Sequence, residues 1–165
     1  MKNIIISALL ISAFSSFANA ETIWYAKEYP DGLSTLTGVF DKKGLGIMFA
    51  CTGNFLSAGA IAINKKEKVQ EPQPITINLT TNDNQNVNFS AEAVPSSENN
   101  YSFMSSDAIS SLTAFHFLDT ASNMPLHINL EENDISVSGG WTIQTRNSKN
   151  AVNKFKKSCP LLSNN

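Results

Sequence analysis

Apolar and polar residues alternate with a period of two over much of the chain after residue 21, and that period predicts strands with opposed dry and wet faces. The clearest stretch sets Ile75, Ile77 and Leu79 between Thr76, Asn78 and Thr80, and after a turn over Asn82 to Asn86 repeats with Val87, Phe89 and Ala91. This predicts a hairpin. Upstream, Thr22 to Tyr29 reads as an aromatic-rich strand ended by Pro30-Asp31-Gly32, and Leu33 to Phe40 as a second that meets Asp41-Lys42-Lys43-Gly44. Leu45 to Cys51 is an almost unbroken apolar run, predicted to be buried on both faces. Thr52-Gly53-Asn54 turns it into Phe55 to Ile63, and these two strands are expected at the centre of the sheet. Tyr101 to Met104, Leu126 to Leu130 and the segment from Ile135 through Gly139-Gly140 to Ile143 complete the predicted strands.

Two segments change period. Ser105 or Ser106 can cap a helix from Asp107 to about Phe117, with Asp107 in its first turn and Ile109, Leu112 and Phe115 on one stripe. Near the C-terminus, Ser148 is a cap candidate, and Ala151, Val152, Phe155 and Cys159 share a face, with Lys154, Lys156 and Lys157 outside and Pro160 as the stop. Cys159 thus leaves the last turn of a helix on its apolar side, while Cys51 ends a buried strand. The two are the only cysteines and lie far apart, unlike a C-x-x-C redox pair, so they are expected to form a structural bridge. The expected fold is mainly β: an antiparallel β-sandwich or curled sheet with two short helices, the C-terminal one pinned to the sheet by the disulfide.

Composition narrows the setting. Ser, Thr and Asn make up 50 of 165 residues, which favours strands and polar turns over long helices. A formal charge of -2 supplies no broad cationic field, so nucleic acid and anionic membranes are not expected partners. Residues 1–20 read as a secretory signal: Lys2, an apolar run from Ile4 to Phe17, then Ala18-Asn19-Ala20 for cleavage before Glu21. Residues 21–165 are then expected to be one β-rich domain, periplasmic or secreted, with no later integral membrane segment. The Lys-rich stretch from Asn64 to Pro74 reads as an exposed connection.

Chemistry is sparse. The two imidazoles, His116 and His127, come without G-x-S-x-G or H-E-x-x-H, so no catalytic residue, metal site or cofactor is expected. Glu131, Glu132 and Asp134 cluster, but in a predicted hairpin turn where solvation keeps carboxyls ordinary. An enzyme would need a concave site near one of the imidazoles with a nucleophile beside it. Aromatic anchors dominate protein interfaces, and Trp24, Tyr25, Tyr29 and Trp141 are therefore the candidate partner surface.

The early Trp24, the strand entering Cys51, the hairpin from Ile75 to Ala91, the segment Asp107 to Leu118 before a strand, and the ending Val137-Ser138-Gly139-Gly140 to Ala151 to Cys159 together resemble the invasion-associated locus B-like group. These are small exported proteins of Gram-negative bacteria; the chain lacks that group's additional early cysteines. The resemblance implies a periplasmic β-rich domain and carries over no enzymatic residue. The expected function is binding to a protein partner, as an envelope accessory or virulence-associated module that is monomeric or weakly self-associating. The alternative is a periplasmic inhibitor or immunity protein that blocks a hydrolase.

Overall fold

The computed structural model describes residues 21–40, 45–62, 72–94, 101–105, 107–121, 123–131 and 139–163. The segment expected to be a secretory signal, most of the lysine-rich connection and the turn expected after Glu131 lie outside the described residues. The strands are β1 (Thr22–Glu28), β2 (Leu33–Phe40), β3 (Leu45–Thr52), β4 (Phe55–Ala62), β5 (Gln73–Thr81), β6 (Asn86–Val94), β7 (Tyr101–Met104), β8 (Pro125–Glu131) and β9 (Gly139–Gln144). Three helices accompany them, α1 (Ala108–Thr120), α2 (Lys149–Ser158) and the single turn α3 (Pro160–Ser163). Pro160 ends α2 as expected but also starts α3, which the sequence pattern did not mark.

The nine strands of the described residues belong to one antiparallel sheet, ordered β1-β2-β3-β4-β7-β6-β5-β8-β9. The middle position is held by the four-residue β7, with β4 beside it and β3 one strand further out. The curled arrangement, rather than a sandwich of two sheets, follows from what happens at the two ends of this order. Trp24 Nε1 on β1 donates to the Gln144 carbonyl on β9 at 2.8 Å, and Gln144 N donates to Thr22 Oγ1 at 2.8 Å. First and last strands therefore meet through side chains, and two β9 main-chain groups that a sheet edge would leave open are satisfied. Trp24 reaches this seam by lying across Gly38, its partner on β2, where an added Cβ would sit 2.6 Å from the indole ring.

The concave side carries the core. Register places Leu36, Phe49, Ala58 and their neighbours in one row and Ile77, Phe89 and Leu130 in another, all buried. The alternation of apolar residues on β5, β6 and β8 is the one their sequences predict, although Asn78 on the outer face of β5 is buried as well. β3 is less enclosed than its apolar run suggests: Ile47, Phe49 and Cys51 are buried, but Met48 and Ala50 on the opposite face are only partly so.

α1 exists where the sheet opens. β7 pairs only with Gly59–Ala62 of β4 and Glu92–Val94 of β6, so β4 and β6 part company beyond it. Ser105 N continues the ladder by donating to the Ala58 carbonyl at 2.8 Å, and the next donor, Ala58 N, is taken by Ser111 Oγ of α1 at 3.0 Å. The helix thus seats against β4 and β6 and substitutes a side-chain oxygen for a missing strand partner. Close approach requires small residues, so the buried face is Ser111, Ala114, Phe115 and Leu118. This corrects the predicted stripe: Phe115 is buried, but Leu112 is only partly so and Ile109 is 78% exposed.

The cap of α1 is also shifted from its expected place. Asp107 itself is the N-cap, accepting from Ile109 N at 3.1 Å and Ser110 N at 3.2 Å, while Ser105 Oγ accepts from Asp107 N. The Ser110 hydroxyl, and then the Ile109 and Ser110 amides, hold the Asp107 carboxyl below its ordinary pKa. The sign follows directly: a depressed folded-state pKa contributes stability above the ordinary Asp range and loses it as pH falls through the depressed value. Asp107→Ala should therefore melt below wild type at neutral pH, with the gap closing in strong acid; a gap that stays constant across an acid series of melts contradicts this role.

α2 packs against β1 and β2 with Ala151, Val152 and Phe155 inward, the face its spacing predicts. Ser148 stands at the N-cap position but makes no side-chain capping bond there; its amide instead donates to the Thr145 carbonyl at 2.9 Å. Cys159, the C-cap, bonds Cys51 across a Cα separation of 5.7 Å and pins the helix to the sheet. Ser34 Oγ adds a 3.2 Å bond to the Ser158 carbonyl. Among the described residues no helix is long and apolar enough to cross a membrane, and the disulfide fits an exported protein.

Candidate interaction surface

The outer face of the sheet divides into two halves of different chemistry. On β1 to β4, register aligns Ile23, Val39, Gly46 and Ile61 in one row and Tyr25, Thr37, Met48 and Gly59 in the next. A third row holds Lys27, Thr35, Ala50 and Ser57, and a fourth holds Tyr29, Leu33, Thr52 and Phe55, with Tyr29 N donating to the Leu33 carbonyl at 2.8 Å. Lys27 is the one charged residue in these four rows, and its Nζ lies 4.3 Å from the centroid of the Tyr29 ring. Ile23 is 45% exposed, Tyr25 46%, Phe55 46% and Tyr29 36%.

The other half is polar. Asn88, Asn78, Asn129 and Gly140 form one outer row across β6, β5, β8 and β9, and Asn86, Thr80, His127 and Thr142 form the next. The contrast matters because water is the alternative partner of every exposed group. Asn and Thr lose hydrogen bonds to water when covered, whereas Tyr, Ile, Met and Phe gain by leaving it. A contiguous apolar patch with aromatic members and few charges is the signature of an interaction surface.

The four aromatic residues singled out in the sequence divide between the faces. Tyr25 and Tyr29 stand on the outer apolar half. Trp24 and Trp141 are partly buried on the core side, Trp24 at the seam and Trp141 opposite Ile128 with its Nε1 buried and without a hydrogen-bond partner among the described residues. Phe55, Ile23 and Met48 lie on the same outer face, although a choice confined to Trp and Tyr passes over them. The signal that finds them is position: Ile23 lies two residues from Tyr25 on β1, Met48 shares the Tyr25 row beyond Thr37, and Phe55 shares the Tyr29 row beyond Leu33 and Thr52.

The imidazoles also separate. His116 is exposed on α1, its ring meeting Phe115 edge-on at 6.2 Å. His127 is engaged at both nitrogens, Nδ1 with Thr142 Oγ1 at 2.7 Å and Nε2 with Asn82 Oδ1 at 2.7 Å. The amide oxygen takes the Nε2 hydrogen, leaving Nδ1 to accept from the Thr142 hydroxyl. Hydroxyl, imidazole and amide oxygen therefore stand in line. The group ties together β8, β9 and the turn after β5 on the half-exposed polar face, and none of its three members lines the cleft described below. Among the described residues no three His, Cys, Asp or Glu side chains gather as a metal-ligand group.

Comparison with protein-family models, with curated proteins and with solved structures gives no match to this chain.

Proposed function

We propose that this chain is an exported, non-enzymatic binding module that engages a protein partner through the outer face of β1 to β4. The observation that carries the reading is the exposure of Ile23, Tyr25, Tyr29 and Phe55 on one nearly uncharged half of the sheet, beside a half surfaced by Asn and Thr. Large aromatic side chains with few rotatable bonds are the usual anchors of such contacts. The disulfide supports residence in an oxidising compartment, periplasmic or extracellular, and the resemblance to the invasion-associated locus B-like group points the same way.

Tyr25→Ser combined with Phe55→Ser is expected to leave the melting midpoint nearly unchanged, because both side chains already face solvent. The same pair should weaken binding to the protein retained by the wild-type chain by about tenfold or more, whereas Ser90→Ala on the polar half should not. Equal affinity of the double variant and wild type would overturn the assignment. An inhibitor is the special case in which the retained protein is an envelope hydrolase whose turnover stops at one-to-one stoichiometry.

A further inference from the structure

A cleft of about 150 Å³ lies between the turn joining β5 to β6 and the C-terminal end of α1, lined by Thr81, Asp83, Gln85, Phe117, Thr120 and Met124 among others. The turn is rigidly built. Thr81 N donates to the Gln85 carbonyl and Asn84 N to the Thr81 carbonyl, both at 3.0 Å, with Asn84 in the left-handed region at φ 63. Asp83 is held from both sides: the buried Thr81 hydroxyl donates to Oδ1, and Gln85 Nε2 donates to Oδ2 at 3.0 Å.

The hydrogens around the cleft are largely committed elsewhere. Thr120 Oγ1 donates back to the His116 and Phe117 carbonyls, each at 3.0 Å, and the Ala121 and Met124 amides close the end of the helix. The lining residues still carry acceptors: the remaining lone pairs of Asp83, the Gln85 Oε1 and the Thr120 hydroxyl oxygen. Asp83 supplies the negative charge, and among the described residues no basic side chain pairs with it. Phe117 and Met124 supply an apolar wall beside these acceptors.

A negatively charged, acceptor-lined cleft with an apolar wall is complementary to a donor-rich cation on an alkyl stem. We propose that this cleft binds an alkylammonium or guanidinium group, with its methylenes against Phe117 and Met124 and its N–H groups on Asp83, Gln85 and Thr120. A bare divalent ion fits less well, because one carboxylate leaves its charge uncompensated and the apolar wall offers it nothing. The group can come from a free amine or from the Lys or Arg side chain of a polypeptide. The proposal rests on the cleft alone, so its outcome is independent of the apolar face of β1 to β4.

The test is an amide-detected NMR titration of the folded chain with n-butylammonium and methylguanidinium, against n-butanol and calcium as comparators. Saturable shifts centred on Asp83, Gln85 and Thr120 with the cations, absent with butanol and calcium, support the site. Asp83→Asn should weaken the cation by about tenfold or more, since a hydrogen bond to a charged group is the larger kind. Thr120→Lys, which places an ammonium on the helix end without disturbing the turn, should abolish the response. End-blocked lysine peptide binding as well as butylammonium identifies a side-chain ligand, and its exclusion identifies a free amine. Equal shifts with butanol, preference for calcium, no saturation by either cation, or an unchanged affinity in both variants would overturn the proposal.

Discussion

Cys159→Ser, or reduction of the wild-type bridge, lowers the thermal midpoint by about 5–15 °C, corresponding to a loss of about 2–5 kcal/mol for a native disulfide in a domain of this size. The size of the effect comes from the separation of 108 positions, a long closed loop that takes in β4 to β9, α1 and α2. A local consequence follows as well. α2 has ten residues, too few to be helical alone, and holds to the sheet by Ala151, Val152 and Phe155, by the Ser34 bond to Ser158 and by the sulfurs. Opening the bridge should therefore raise amide exchange first in α2, before the strands. Calorimetry with and without reductant, read beside exchange at α2, checks both parts; a reduced chain melting with the oxidised one would remove the cross-link from the account of stability.

Phe115→Ala is the second large effect, a loss of about 3–5 kcal/mol expected for removing a fully buried ring. Phe115 stands edge-on to Phe49 at a centroid distance of 5.5 Å and tilted against Phe155 at 5.7 Å. It is thus the point where α1, β3 and α2 meet. Removing it leaves a cavity that the surrounding sheet closes only in part, whereas Ile109→Ala on the same helix, at a residue 78% exposed, should shift the urea midpoint very little. Similar midpoints for the two variants would contradict the placement of α1. Because Phe155 and Cys159 share α2, the losses from Phe115→Ala and Cys159→Ser should combine less than additively. By contrast, the Lys156–Asp119 pair between α2 and α1, at 2.9 Å but with both side chains substantially exposed, should be worth at most about 1 kcal/mol.

Much of this fold is legible in the chain because strands write a short period. The rows of Ile75, Ile77 and Leu79 opposite Ala91, Phe89 and Val87 are where alternation places them, and the cysteine pair follows from there being two cysteines far apart in the chain. What was not legible depends on distances between elements. The buried face of α1 is set by the gap that the short β7 leaves between β4 and β6, so Ser111 and Ala114 turn inward and Ile109 does not. The closing of the sheet rests on a Trp24 side chain crossing a glycine to reach β9, a contact no local pattern announces.

For the candidate surface the divide is similar. Trp24 and Tyr25 are adjacent in one strand, and adjacency alone requires them to face opposite sides. The sequence could have separated them, and with them the core-facing from the outward-facing aromatics. The placing of Ile23, Tyr25, Tyr29, Met48 and Phe55 on one face could not be read, because it needs the pairing of four strands. The same holds for the cleft, where Asp83 and Thr120 come together only through the packing of α1 against β4 and β6.

The most direct measurement is site-specific photocrosslinking in cells that export the chain, with the photoreactive residue placed in turn at Tyr25, Phe55, Thr76 and Ser90. One discrete protein adduct is expected from Tyr25 and Phe55 and none from Thr76 and Ser90 on the polar half. Absence of an adduct at Tyr25 and Phe55, or the same adducts from both halves, would contradict the proposed binding face.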